Sequence, residues 1–191
     1  PMVPGTIALA NGTPGAVALT LAPQQDVPPI VSRYTILEPA NGPLPIAGTP
    51  NTIGVWVNGN SNWGRIYFQL EDAQGRTWTS NGYAEDPHTP GGWDMSDWED
   101  DMSIAFDGWR FVSTGLPLRY PSGYYTPDFR NWRCEDDHRR TNAIAYPIKL
   151  KRLYVVMRDQ LVCLTDMVPA TSRTIELKNV TVGTDPTKPV P

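Results

Sequence analysis

The chain has 191 residues, with 7 Trp, 8 Tyr, 16 Gly and 20 Pro, and only 19% of its residues are charged. This suits one large domain or two small ones, a single all-β sandwich of this length being ordinary, and excludes a coiled coil, a helical bundle, collagen and a disordered tail. A formal net charge of −4 argues against a nucleic-acid partner.

Residues 1–25 carry no charge, but Pro and Gly interrupt every apolar run. No membrane-inserting segment is expected from them, and no basic-then-apolar leader is read. The first predicted strand is Ala16–Leu21. Pro39–Pro50 reads as a long uncharged, Pro-rich approach to a strand at Ile53–Val57. Arg65–Glu71 alternates cleanly, with Ile66, Phe68 and Leu70 on one face and Arg65, Tyr67, Gln69 and Glu71 on the other. Asp72–Gly75 supplies a turn, and Arg76–Ser80 returns as the hairpin partner.

Further along, Met102–Phe106 reads as a strand, and Asp107-Gly108 turns into another at Trp109–Ser113. Ile148–Met157 and Leu161–Thr165 are expected to pair. Thr174–Val182 is the last strand. Ile175 and Leu177 are out of phase there with Val180 and Val182, which predicts a bulge at Lys178-Asn179. Residues 1–183 are expected to form one domain with a frayed N-terminal segment. Residues 184–191 read as a Pro/Thr linker, so the chain reads as a module of a longer protein. Two long irregular stretches, 81–101 and 119–146, interrupt the strands, and loops of that length on a regular scaffold are commonly functional.

Four segments carry a resemblance. They are Ile53-Gly-Val-Trp-Val-Asn-Gly59, the run Trp63–Gly75, Phe106-Asp-Gly-Trp109 and Ile148–Val156. Their order resembles the galactose-binding-domain-like modules of secreted bacterial polysaccharide-degrading proteins. The resemblance spans about residues 50–182 and does not include the two long loops. It implies an all-β jelly-roll sandwich, an extracellular (secreted or cell-surface) setting, a covalently linked catalytic domain and a structural Ca2+ in many members. Its motifs are structural, so they speak to the fold more than to the ligand.

The aromatic residues divide by position. Trp56 and Trp109 lie within strands and are assigned to core or sheet. Trp78 is ambiguous, and Trp63 fits the family pattern as a structural residue. Trp93, Trp98, Trp132, Tyr124 and Tyr125 lie in the long loops. A pyranose ring presents a flat C–H face, for which an exposed indole or phenol is a natural platform. The alternative is that these rings pack the loops onto the sandwich. Arg130 and Arg133 are candidate partners for sugar hydroxyls or acidic groups, as is Arg119; internal pairing with Glu135, Asp136 and Asp137 is the competing account.

Seven of the 20 acids fall within residues 85–101, where there is no Lys or Arg. A calcium site, a solvated loop and pairing with Arg130, Arg133, Arg139 and Arg140 are the open readings. Cys134 and Cys163 form a disulfide or remain thiols. His88 and His138 are the only histidines, and no nucleophile, phosphate-loop or metalloprotease motif occurs. The expected function is non-catalytic polysaccharide binding that holds an attached enzyme on its glycan. A ligand-free structural module is the alternative, and a glycan-degrading domain a weaker one.

Overall fold

A computed structural model describes residues 2–4, 7–10, 12–21, 32–61, 64–80, 102–118, 132–135, 143–158 and 173–186. Every regular element among them is a strand. The larger sheet runs β1 (Met2–Pro4), β4 (Ser32–Leu37), β11 (Ile148–Arg158), β7 (Arg65–Glu71), β8 (Thr77–Thr79) and β10 (Arg133–Cys134), and β5 (Leu44–Ile46) also pairs with β11. The five-stranded sheet runs β2 (Ile7–Ala10), β3 (Val17–Leu21), β12 (Arg173–Gly183), β6 (Thr52–Asn60) and β9 (Asp107–Gly115). Apart from the parallel β1–β4 pair, neighbouring strands are antiparallel.

Both sheets feed one apolar core, as in a β-sandwich. On β7 the alternating Ile66, Phe68 and Leu70 are fully buried. On β6 the same period places Ile53, Val55 and Val57 inside, and on β12 Ile175 and Leu177 join them. The expected bulge is present: the register of β12 against β6 shifts between Lys178 and Thr181, and Asn179 takes φ 51°. The extra residue brings Val182 back against the core.

Three expectations are corrected. The N-terminal residues are not merely frayed, because β1 joins the larger sheet and β2 the smaller one. The approach at residues 39–50 holds β5, and β4 precedes it; both pair with β11. Residues 102–106 do not form a strand: Ser103 makes one bridge to Arg65, while Met102 and Ile104 enter the core. The segment 161–165 lies outside the described residues.

A buried carboxylate fixes the β7–β8 hairpin. Asp72 is 3% exposed. It accepts from the backbone N–H of Gln74 at 2.9 Å and of Arg76 at 3.0 Å, from Arg76 Nε at 2.8 Å and from Trp78 Nε1 at 3.0 Å. Arg76 Nη2 completes an ion pair at 2.7 Å, and its other bond, to the Ala143 carbonyl, ties the turn to the approach of β11. Gly75 takes φ 76°, a conformation that few side-chain-bearing residues adopt. Burial alone would raise the Asp72 pKa, but the donors from Arg76, Trp78 and Gln74 outweigh it and hold the group below its usual value.

Candidate functional site

Of the loop residues expected to meet a sugar, Trp93, Trp98, Tyr124, Tyr125 and Arg130 lie outside the described residues, as do Arg119, both histidines, Cys163 and the acidic run 85–101. Trp132 is described, and it is not a solvent-facing platform. It is 2% exposed, belongs to the core, and donates its indole N–H to the Gly115 carbonyl at 2.7 Å. That bond joins the entry to β10 to the end of β9, so a ring read as a loop residue closes the sandwich instead. Arg133 is exposed, on β10 opposite Thr79. Cys134 beside it is buried.

The open aromatic surface lies elsewhere. Because Ile53, Val55 and Val57 face the core, Trp56 projects from the outer face of the five-stranded sheet. Register pairs it with Phe111 on β9 and with Lys178 on β12. Trp56 is 39% and Phe111 38% exposed, with ring centroids 5.6 Å apart and planes tilted by 50°. Trp109, two residues before Phe111, adds a half-buried indole to the same face. Trp56 and Trp109 are therefore sheet residues but not core residues.

Gly54 makes room for this surface. A Cβ built there would stand 2.5 Å from Phe111 Cζ and 2.7 Å from the Val112 carbonyl oxygen. With no side chain present, the Phe111 ring lies close over the β6 backbone.

Polar groups border the rings. Lys178 Nζ lies 3.9 Å from the Trp109 ring centroid, a cation–π contact. Asn58, paired with Trp109 on one side and Glu176 on the other, donates its Nδ2 to Glu176 Oε2 at 2.9 Å. Thr13 donates its backbone N–H at 2.6 Å and its hydroxyl at 3.0 Å to the same carboxylate. The bond from Asn58, then that from the Thr13 backbone, hold the Glu176 pKa below the ordinary carboxylate value. Asp107, opposite Asn60, accepts from Ser61 Oγ at 3.1 Å.

The outer face of the larger sheet is closed differently. Arg65, Tyr67 and Gln69 alternate with core residues on β7 and are nonetheless buried. Gln69 Nε2 donates to Thr79 Oγ1 at 3.1 Å and to Glu135 Oε1 at 2.9 Å, and Thr79 donates to Glu135 at 2.7 Å. Lys149 pairs with Glu71 at 2.8 Å, and Arg152 with Glu38 at 3.0 Å. The bond from Lys149 lowers the Glu71 pKa. Tyr34 and Tyr154 form a tilted ring pair at 6.3 Å farther along this face.

Among the described residues no group of three or more His, Cys, Asp or Glu converges as a metal site would require, so none of them forms a carboxylate cage for the implied Ca2+. Among the described residues no helix is long and apolar enough to cross a membrane. Trp56, Trp109 and Phe111 are the residues that assignment by strand membership alone misses. Period two was the available signal, since an indole between Val55 and Val57 must face away from them.

No family model matches the sequence, and neither curated proteins nor solved structures give a significant match.

Proposed function

We propose that the chain is a non-catalytic glycan-binding module of jelly-roll, galactose-binding-like type, with the outer face of the five-stranded sheet as its platform. The observation that carries this reading is the Trp56–Phe111 pair, left more than a third exposed while Trp78, Trp132 and Phe68 are buried. Full burial of an apolar side chain is worth about 1.5–3 kcal/mol, and these two rings, 39% and 38% exposed, forgo the part of it that belongs to their open area. A sugar stacked on them covers the apolar area, and neighbouring polar groups meet its hydroxyls.

Affinity at one such face is modest. Retention comes from the high local concentration of a linked catalytic domain at an extracellular polysaccharide. Trp93, Trp98, Tyr124, Tyr125 and Arg130 stay in the proposal as candidates from the sequence, and a structural Ca2+ stays with the galactose-binding-like type.

Affinity gels carrying neutral, uronic and sulfated polysaccharides test the reading. Retardation of the wild type, lost in Trp56→Ala and Phe111→Ala and kept in Trp93→Ala and Trp98→Ala, supports the sheet platform. Loss in the loop variants alone moves the site to the loops. No retardation on any gel overturns glycan binding and leaves a structural module whose aromatic face meets a neighbouring domain.

A further inference from the structure

The described basic side chains are not distributed evenly between partners. Arg76, Lys149 and Arg152 each pair with a carboxylate, Asp72, Glu71 and Glu38 respectively. Lys151 donates to Thr77 Oγ1 at 3.1 Å. Lys178 has no carboxylate within ion-pair distance among the described residues and rests on the Trp109 ring instead. It is the cation that the register places directly beside Trp56, in the same cross-strand row as Phe111.

An ammonium carries three N–H donors. The indole beneath Lys178 engages one side of it by a contact that needs no hydrogen-bond acceptor. The remaining donors are available to an acceptor arriving over the platform. The neighbouring acid does not fill that role. Glu176, in the adjacent row, feels the charge of Lys178 but makes no ion pair with it, and accepts on both oxygens from Asn58 and Thr13.

Resting on the platform reading, we infer that this face selects a uronic-acid chain, with Lys178 as its specificity-determining residue. A uronate joins the two required features in one unit: a pyranose face for Trp56 and Phe111, and an anion attached directly to a ring carbon. With the ring stacked, that carboxylate lies at the ring's edge, where Lys178 meets it by a charge-assisted hydrogen bond. An ester sulfate, carried on a projecting oxygen, stands farther from the stacked ring.

The test uses the full chain in affinity electrophoresis. The probes are polygalacturonate, its carboxyl-reduced counterpart and a sulfated galactan, each at low and at high salt. Polygalacturonate is expected to bind more tightly than its reduced form by roughly three- to tenfold, with the difference shrinking in salt. Lys178→Gln should remove the difference and leave binding to the reduced polymer in place, while Lys178→Arg should keep it. Glu176→Gln, which removes the negative charge and keeps one of the two acceptor oxygens, should widen it.

The charged-to-neutral ratio is the decisive readout, since a purely structural clamp on Trp109 would weaken both polymers together. Equal binding of the two polymers, unchanged in Lys178→Gln, overturns the uronate inference and leaves the platform standing if Trp56→Ala still abolishes binding. Stronger retention by the sulfated galactan overturns the choice of a carboxylate. Failure of all three probes together with the neutral gels overturns the platform itself.

Discussion

On the larger sheet, Arg65, Tyr67 and Gln69 point away from the core by their position on β7 and are still buried. On the smaller sheet, Trp56 and Phe111 also point away from the core and remain exposed. Polar side chains on the first face satisfy one another, through the Gln69–Thr79–Glu135 bonds and the ion pairs of Lys149 and Arg152. Aromatic side chains on the second have mainly each other and Lys178. Residues bound into internal networks contribute to stability, because removing one strands its partners. Residues held open contribute little to the fold and are free to bind. The comparison therefore separates substitutions that should unfold the protein from those that should only empty a site.

The largest expected effect falls on a residue whose sequence position suggested the opposite class. Trp132→Ala should destabilise the protein by about 4 kcal/mol, as for other buried aromatic truncations. It removes a buried indole from the core and leaves the Gly115 carbonyl without its donor. Urea unfolding reads this as a lower midpoint at unchanged slope. Near-wild-type stability would place Trp132 with the open aromatic residues and break the distinction.

Asp72→Asn should cost about 2–3 kcal/mol, since it withdraws a carboxylate from Arg76 and an acceptor from the hairpin backbone. The wild type should also show a specific acid limb. The folded pKa of Asp72 is depressed, so its contribution is present above the unfolded value of 3.8 and is lost as pH falls through the lower folded value. Urea midpoints followed from neutral pH into acid should fall more steeply for the wild type than for Asp72→Asn. Parallel curves would mean that the carboxylate does not hold the hairpin.

The parts legible from sequence were those set by local alternation. In β7, Ile66, Phe68 and Leu70 repeat at period two between an ordered turn and a glycine, so its limits at Arg65 and Glu71 could be read directly. The bulge near Asn179 was visible because two pairs of apolar residues fell out of phase. By contrast, Ser32–Leu37 and Leu44–Ile46 become strands through pairing with β11, more than a hundred residues later, and a Pro-rich local sequence hides that partner. Residues 102–106 alternate yet form no strand, because only Ser103 finds a bridge partner. For the site, alternation sufficed to turn Trp56 outward. It could not reveal whether the outer face was covered: the same rule turns Tyr67 and Gln69 outward, and both are buried.

The smallest stability effect is the one that most sharpens the contrast. Trp56→Ala removes a large ring, and a buried ring of that size would cost about 3–5 kcal/mol. At this position the loss should stay below about 1 kcal/mol, the scale of one cross-strand aromatic pair, because the ring is more than a third exposed and packs beside Phe111 on the outer face, so its removal opens no core cavity. The inner face of β6 keeps Ile53, Val55 and Val57 in place. Urea unfolding should therefore leave the midpoint nearly unchanged in the same variant that loses retardation on glycan gels. A large drop in the midpoint would make Trp56 a structural residue and turn its loss of binding into a consequence of unfolding. A stable variant that no longer binds attributes the loss to the missing platform, since the fold beneath it is intact.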